Sequence, residues 1–231
     1  MSSPQSLPPA VSAIVSQTFL AKMPVDVQRA VLEGGRRVEV SAGALVAHSP
    51  RRPGVGVVVE GLFRVFLRSP EDRQVTVQYA RPGEALGLVS LLSKRLAVNV
   101  QAVTRSSLWL FSSRRLRELA RQSAPLALAI AGECAARVED AVEELGLVAF
   151  GSVRQRVARH LLDLASSENA RGKLVAAVTQ QELADATGSV REVVARALKE
   201  LETLGLASRT AGGVAVLDAA GLDAAARVST R

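Results

Sequence analysis

The most constraining feature of this 231-residue sequence is a change in the spacing of apolar residues near Ser112. From Arg36 to Phe111, short β-branched and aromatic runs alternate with turn-forming residues. Such runs, about 8–12 residues apart, are typical of a β-sandwich or a barrel-like roll. Beyond Ser112, apolar residues recur at helical spacing. The sequence therefore predicts an α+β chain, with an N-terminal β-roll followed by a mainly helical part. The predicted strands are Val38–Val40, Val55–Val59, Phe63–Leu67, Val75–Tyr79, Val98–Val103 and Ser107–Phe111.

The charge of the chain favours a polyanionic partner but does not locate the binding surface. The formal net charge is +7 and the isoelectric point is near 10.6. A basic balance attracts nucleic acids. However, +5 of the excess lies in residues 1–150 and only +2 in residues 151–231. The placement of particular arginines must therefore identify the interface.

Several classes of protein are disfavoured by what the sequence contains. Hydrophobic residues make up 48% of the chain, which argues against wholesale disorder. The single cysteine, Cys134, excludes an intrachain disulfide framework and a multi-cysteine metal or iron–sulfur site. The sequence also shows no catalytic Ser/His/Asp order, glycine-rich phosphate loop or metal-ligand spacing. We therefore expect no enzyme activity, no metal and no cofactor.

The sequence gives no sign of export or of membrane insertion. The start of the chain lacks the basic segment and apolar core of a secretory signal. Every stretch of about 18 residues contains polar side chains. We expect a cytoplasmic protein with no membrane partner.

Residues 113–150 are predicted to form a short helix, Ser113–Gln122, and then a long helix. Pro125 lies at a first-turn position, where proline is tolerated, and no proline follows up to Val148. Apolar residues in this helix repeat at intervals of 3, 4, 3, 4 and 3, which resembles a coiled-coil seam. We expect this seam to pair with a second copy of the chain; packing on the helix's own domain is the alternative. The seam residues are Ala131, Cys134, Val138, Ala141, Leu145 and Val148.

Local signals near residues 179–204 predict two helices joined by a tight turn. Thr179 and Glu182 have the spacing of a capping box, and Gly188 suits a helix end in the left-handed conformation. The second helix is predicted to start near Ser189 and to end near Leu204. This pattern is a helix-turn-helix, whose second helix lies in a major groove.

The second helix presents three charged side chains, Arg191, Glu192 and Arg196, on the face opposite its apolar residues. Arginine can donate two hydrogen bonds to guanine, and glutamate can accept one from cytosine. Solvated surface charges are the alternative interpretation. A predicted hairpin at residues 206–217 follows as a wing, with Arg209 placed to contact phosphate.

The order of these elements resembles the cyclic AMP receptor protein (CRP/FNR) family of transcription regulators, from about residue 17 onward. The segment 179–201 resembles that family's DNA-binding motif, including Arg-Glu-x-x-x-Arg at 191–196. The resemblance implies a homodimer that reads base edges of palindromic double-stranded DNA with these three side chains. Val190 and Val193 depart from the family pattern, because relatives often have Ser and Thr there that bind phosphate. The expected phosphate contacts are Thr179, Gln181, Ser189 and Arg209.

The resemblance also divides the chain into three parts and suggests a further partner. The expected domains are a β-roll sensor at 1–112, a short helix and dimerisation helix at 113–150, and a winged helix-turn-helix at 151–231. Gly151 and Ser152 form the expected hinge. RNA polymerase is a candidate partner, because an activator needs a surface for it, although no residue pattern identifies one.

The β-roll resembles a cyclic-nucleotide-binding domain whose polar anchors are missing. In nucleotide-binding members, a Gly-Glu-Leu segment and an Arg-Ser/Thr pair hold the ribose and the phosphate, since a buried anion needs charged and polar partners. Here Leu88 stands in place of the glutamate, and Leu96 and Ala97 in place of the pair. The resemblance places Ala141 and Val142 where the long helix would meet the purine. We therefore predict that the chain binds neither cyclic AMP nor cyclic GMP in the usual manner. The degenerate pocket comprises Gly87, Leu88, Val89, Leu96, Ala97, Ala141 and Val142.

The identity of an effector stays open at this point. Arg95, one residue out of register, is an alternative phosphate ligand, and the apolar lining suits a hydrophobic ligand or none. The alternative function is a signalling protein of the same fold that senses a hydrophobic ligand or a haem-bound gas. His48 and Cys134 are the candidate haem ligands, although Cys134 is more simply a small core residue.

Overall fold

The computed structural model describes residues 8–46, 54–72, 74–92, 98–165, 167–168 and 174–227. The chain divides into two compact units. The first comprises residues 1–67 and 77–140, and the second comprises residues 68–76 and 141–231. The three-part division expected from the sequence stays a prediction.

The first unit contains the β-roll that the sequence predicts. Among the described residues, seven strands lie wholly or mainly in this unit. They form a four-stranded sheet in the order β1-β7-β2-β5 and a three-stranded sheet in the order β4-β3-β6. Apolar side chains of both sheets are buried in two clusters, which include Val57 and Phe111 in one and Val58 and Phe63 in the other. The strands are β1 (Arg36–Val40), β2 (Val55–Glu60), β3 (Phe63–Arg68), β4 (Gln74–Ala80), β5 (Ala85–Leu86), β6 (Asn99–Ala102) and β7 (Ser106–Phe111).

Short helices and strand β5 in the first unit were not predicted from the sequence. Pro9 begins helix α1. The indole N–H of Trp109 donates to the carbonyl oxygen of Leu32 over 3.1 Å and fastens helix α2 to β7. The helices are α1 (Pro9–Ile14), α2 (Val25–Leu32), α3 (Val89–Leu92) and the predicted α4 (Ser113–Gln122).

The long helix is present as α5 (Ala124–Phe150), with Pro125 in its first turn. It ends directly before the predicted hinge at Gly151 and Ser152. Helix α6 (Val153–Leu164) then begins with a capping box between Ser152 and Gln155. Among the described residues, no helix has both the length and the apolar character needed to span a membrane.

The second unit contains a winged helix-turn-helix. Its four strands pair in the order β10-β11-β9-β8, and the hairpin of the first two is the predicted wing. The polar composition of the segment 166–173 favours a loop, but part of it forms strand β8, because Ser167 and Glu168 pair with β9. The elements after α6 are β8 (Ser167–Glu168), β9 (Leu174–Ala176), α7 (Gln180–Thr187), α8 (Arg191–Thr203), β10 (Ala207–Thr210), β11 (Gly213–Val216) and α9 (Ala219–Ala226).

We expect Gly188→Ala to lower the free energy of unfolding by about 1–2 kcal/mol, because Gly188 has φ of +62° and a Cβ is disfavoured in that left-handed region. A Cβ at this position would make only an ordinary van der Waals contact and no collision, so the cost comes from the backbone conformation. Urea unfolding of the full chain, followed by circular dichroism, measures it. Gly212→Ala is the control, since Gly212 has an ordinary φ and open surroundings. Equal effects of the two substitutions would contradict this account.

Candidate nucleic-acid interface

Helix α7 begins with a closed capping box, as predicted. The Oγ1 atom of Thr179 accepts a hydrogen bond from the backbone N–H of Glu182 over 3.1 Å. A carboxylate oxygen of Glu182 in turn accepts from the backbone N–H of Thr179 over 2.7 Å. These bonds satisfy N–H groups that the first turn of a helix leaves without partners. The side chain of Thr179 is therefore fixed at the start of the helix-turn-helix.

The turn between α7 and α8 depends on Gly188 and on hydrogen bonds to the end of α7. Gly188 adopts the left-handed conformation, and the backbone N–H of Ser189 donates to Ala184 O over 2.9 Å. The buried hydroxyl of Thr187 donates to Leu183 O over 2.7 Å. The chain therefore leaves α7 abruptly and enters α8 at Arg191.

Helix α8 has one buried face and one charged face. Val194, Leu198 and Leu201 have no exposed surface and lie in the core of the second unit. The side chains of Arg191, Glu192 and Arg196 are exposed on the other face. Within the part of the chain that the structure describes, none of these three side chains has a hydrogen bond or an ion pair. The hydrogen-bond donors and acceptors of this row, Arg191, Glu192 and Arg196, are therefore available to another molecule.

The N-terminus of α8 lacks side-chain capping. Val190 is the N-cap residue, makes no side-chain hydrogen bond and is 57% exposed. Val193, in the first turn, is half-buried. Neither valine side chain can donate a hydrogen bond to phosphate, so these two positions would attract an anion only through backbone N–H groups and the helix dipole.

A groove of about 500 Å³ runs beside Arg196. Two other basic residues line it, Arg154 and Lys199, and neither was predicted from the sequence to belong to the interface. Arg154 of α6 lies across from α8, with its Nη1 atom 3.6 Å from a carboxylate oxygen of Glu200. Lys199 could have been found from the sequence, because it lies one turn after Arg196 on the same face. Arg154 could not, because only tertiary packing brings it there. The groove is lined by Arg154, Arg196, Lys199, Glu200, Thr203 and Leu204.

The wing carries Arg209 on β10, but its guanidinium has a partner in the same unit. Glu202, near the end of α8, accepts hydrogen bonds from Nε and Nη2 of Arg209 over 3.0 and 2.6 Å. It also accepts from the backbone N–H of Arg209 over 2.9 Å. These hydrogen bonds hold the pKa of Glu202 below its ordinary value and raise the pKa of Arg209. From the sequence we expect a phosphate contact at Arg209, whereas the pair with Glu202 is visible only in the structure.

The other three expected phosphate contacts lie near the ends of α7. Thr179 and Gln181 are exposed in the first turn, and Ser189 is half-buried just after the last one. The side-chain amide of Gln181 donates to Asp185 over 2.9 Å. Their roles toward DNA stay predictions.

The residues expected in the effector pocket occupy different environments. Leu88 is buried in the apolar core of the first unit, whereas Val89 is 37% exposed. Gly87 has φ of +83°, and a Cβ there would collide with the carbonyl oxygen of Gly54. Leu88 therefore fills apolar core, and Gly87 is required by the backbone. On α5, Ala141 is half-buried and Val142 is exposed, whereas Arg95, Leu96 and Ala97 lie outside the described residues.

Helix α5 exposes an apolar stripe that differs in phase from the predicted seam. The stripe shares Ala131, Val138 and Leu145 with that seam. Cys134 instead packs against the core of the first unit, and Ala141 is half-buried. The four larger side chains of the stripe are 61–75% exposed. The exposed stripe is Leu128, Ala131, Ala135, Val138, Val142, Leu145 and Ala149, at intervals of 3, 4, 3, 4, 3 and 4.

The opposite face of α5 is attached to its own unit. Besides the packing of Cys134, Arg137 binds Glu133 and Asp140 over 2.9 and 3.1 Å and lies 3.8 Å from Glu84. Burial raises the pKa of the Cys134 thiol, and the charge of Glu133 adds to the effect. A raised pKa disfavours the thiolate form that metals and oxidants require. The interpretation of Cys134 as a small core residue fits this environment.

No cluster of metal-ligating side chains occurs among the residues whose placement is described. His48, one of the candidate haem ligands, lies outside them.

Two family profiles match the two parts of the chain described above. The profile of the cyclic nucleotide-binding domain matches residues 37–123, which include all seven strands of the roll except the first residue of β1. The profile of the Crp-like helix-turn-helix domain matches residues 155–225, which include α7, α8 and the wing. The two profiles thus fall on the β-roll and on the winged helix-turn-helix that the geometry independently suggested.

Known proteins resemble the chain over most of its length. It is 26% identical over 179 residues to the cAMP-activated global transcriptional regulator Vfr of Pseudomonas aeruginosa, covering 74% of this chain and 84% of Vfr. It is 29% identical over 167 residues to the transcriptional regulator LdrP of Thermus thermophilus, covering 71% of this chain and 83% of LdrP. The crystal structure of a CRP/FNR-family regulator, also from Thermus thermophilus, matches with a TM-score of 0.69 and 26% identity, covering 83% of this chain and 98% of that one. The chain therefore belongs to the CRP/FNR family and is a DNA-binding transcription regulator, not an enzyme.

Proposed function

We propose that the chain acts as a homodimer that binds a two-fold symmetric, palindromic site in double-stranded DNA. The observation that supports this most is the exposed row of Arg191, Glu192 and Arg196 on a helix whose other face is buried. The two guanidinium groups would donate to guanine O6 and N7, and the carboxylate would accept from cytosine N4. Each protomer would place its α8 in a major groove, one helical turn of DNA apart.

Contacts to the DNA backbone would fix the register of this helix. Thr179, Gln181 and Ser189 are the proposed phosphate contacts at the two ends of α7. Lys199, which lines the groove beside Arg196, is a further cation for the backbone. Phosphate contacts of this kind set orientation and affinity but carry no sequence information.

Arg191→Ala should weaken binding to the specific site by about 1–3 kcal/mol per half-site and relax selectivity at one base pair. The site would first be found by selection from a random DNA pool. Mobility-shift titrations then compare the variant on that site and on a site with the base pair exchanged. Arg114→Ala is a matched control, because Arg114 is an exposed arginine in the first turn of α4. If Arg191→Ala bound specific DNA as tightly as the control, the assignment of α8 as the recognition helix would be wrong.

The homodimer is proposed to form through the exposed stripe of α5, with a second copy of the chain as its occupant. Alternating intervals of three and four residues over three heptads are the spacing at which two helices interlock. The stripe is apolar throughout and therefore self-complementary, as a two-fold interface requires. Its three alanines would allow close approach of the helix axes.

Leu145→Glu should dissociate the dimer at micromolar concentration, because it places a charge in the apolar stripe and, by symmetry, opposite its own copy. Analytical ultracentrifugation of the full chain gives the mass of each species. Ala136→Glu is the control, since Ala136 is exposed on the same helix but outside the stripe. A monomeric parent protein, or two variants with the same mass distribution, would contradict the proposed interface.

We further propose that the β-roll does not respond to cyclic AMP or cyclic GMP in the way that the name of Vfr describes for that protein. The position expected to carry a glutamate holds Leu88, which packs in the core. Val142, expected to face a purine, is apolar and forms part of the exposed stripe. An anionic ligand would thus meet apolar groups where it needs donors and charges. The identity of any other effector does not follow from these residues.

Isothermal titration of the purified full chain with cyclic AMP, and separately with cyclic GMP, should show no binding at micromolar concentration. Vfr, titrated in parallel with cyclic AMP, is the positive control. Micromolar binding of either nucleotide to this chain would overturn the proposal.

The alternative function, a signalling protein of the same fold that senses a hydrophobic ligand or a haem-bound gas, is not favoured. A protein that did not bind DNA would have no need of an exposed Arg-Glu-x-x-x-Arg row on a helix packed by its other face. RNA polymerase remains a proposed partner only through the general role of such regulators in transcription.

A further inference from the structure

Glu202, near the end of α8, accepts three hydrogen bonds from one residue of the wing, Arg209. Its side chain is only 25% exposed, and both of its oxygens accept hydrogen bonds from Arg209. One of these bonds comes from the backbone N–H of Arg209, so the carboxylate holds the main chain of β10 as well as its side chain. Planar guanidinium and carboxylate groups match in this two-point geometry, which restricts their orientation.

The position of this contact in the sheet gives it mechanical importance. Strand β10 is an edge strand in the order β10-β11-β9-β8, so within the described part of the chain one of its sides has no neighbouring strand. The root of the wing is attached to α8 by the Leu206 N–H, which donates to Leu201 O over 3.0 Å. Arg209 lies three residues further toward the tip. Pairing with β9 holds β11 in the sheet, so a contact between β10 and α8 at this distance fixes the other strand of the wing and restricts how far it can swing from α8.

The same contact changes what Arg209 can offer to DNA. Its positive charge is compensated by Glu202 at hydrogen-bond distance. Release of counterions from DNA depends on uncompensated cations that neutralise phosphates. A pair with no net charge adds little to that process, in contrast to Arg191 and Arg196, for which the described part of the chain shows no such partner.

We propose that Glu202 is a positioning residue that fixes the wing to the recognition helix through Arg209, and that Arg209 contributes no net charge to the DNA backbone. The effect on DNA binding rests on the proposed function, whereas the attachment of the wing to α8 by Glu202 and Arg209 is a property of the free protein. It replaces the sequence-based expectation that Arg209 is a phosphate ligand. The wing thereby keeps a set angle to the base-reading row.

The first experiment tests the fastening without DNA. Hydrogen–deuterium exchange of the full chain is compared between the parent protein and Glu202→Ala. Exchange in the wing, residues 207–216, should become about tenfold faster, while α8 keeps its protection. Asp223→Ala is the matched control, because Asp223 binds Arg227 in a similar exposed pair outside the wing, over 2.6 Å. Unchanged wing exchange in Glu202→Ala would overturn the proposal whether or not the protein binds DNA.

The second experiment separates positioning from phosphate binding. The double variant Glu202→Gln with Arg209→Gln removes the pair without changing the net charge. It should weaken binding to the selected palindromic site several-fold, with the slope of log K against log salt unchanged. If Arg209 were a phosphate ligand, the magnitude of that slope would instead fall by about 0.9 per protomer. Asp223→Asn with Arg227→Gln is the control and should change neither quantity. A smaller slope in the wing variant but not in the control would contradict the inference.

A charge exchange provides the rescue. The double variant Glu202→Arg with Arg209→Glu restores an ion pair between α8 and the wing with its charges reversed. It should keep most of the affinity that the double Gln variant loses and most of the wing protection that Glu202→Ala loses. A phosphate-binding role predicts the opposite, because a glutamate on the wing would repel the backbone. If the parent protein bound no palindromic DNA, the proposed function would fail. Hydrogen–deuterium exchange would still show whether Glu202 holds the wing to α8.

Discussion

The burial of one face of α8 is the interaction on which the candidate interface depends. Val194, Leu198 and Leu201 are completely enclosed, and each such side chain contributes about 1.5–3 kcal/mol of transfer free energy relative to exposure. Because a helix has 3.6 residues per turn, fixing these three side chains also fixes the direction of every other one. The row of Arg191, Glu192 and Arg196 is therefore oriented by apolar packing on the opposite side, not by contacts of its own.

Much of the architecture could be predicted because its signals are local. The strands of the roll follow from alternation, the start of α7 from Thr179 and Glu182, and its end from Gly188. Helices α1 and α2 were missed because their apolar residues are too few to give a clear period over six and eight residues. The pairing of β8 was missed because it depends on a partner strand and not on its own composition.

The details that the sequence could not supply are tertiary. Intervals of three and four residues on α5 fit two neighbouring phases, and both contain Ala131, Val138 and Leu145. Packing of Cys134 against the roll decides which phase stays exposed. Likewise, the pair of Glu202 and Arg209 joins residues seven apart across a helix end and a strand, where no local rule applies. Arg209 was correctly placed in the wing, but its partner was not foreseen.

If two copies of the chain pair through the exposed stripe on α5, as proposed, the pairing has a thermodynamic consequence for DNA occupancy. In a symmetric pair, one substitution acts twice, so a loss of about 1.4 kcal/mol at each half-site, tenfold in an equilibrium constant, reduces affinity for the whole operator about a hundredfold. Where assembly of the pair is limiting, occupancy rises with the square of the protein concentration instead of in proportion to it. A cell could then switch such an operator through modest changes in the amount of the protein.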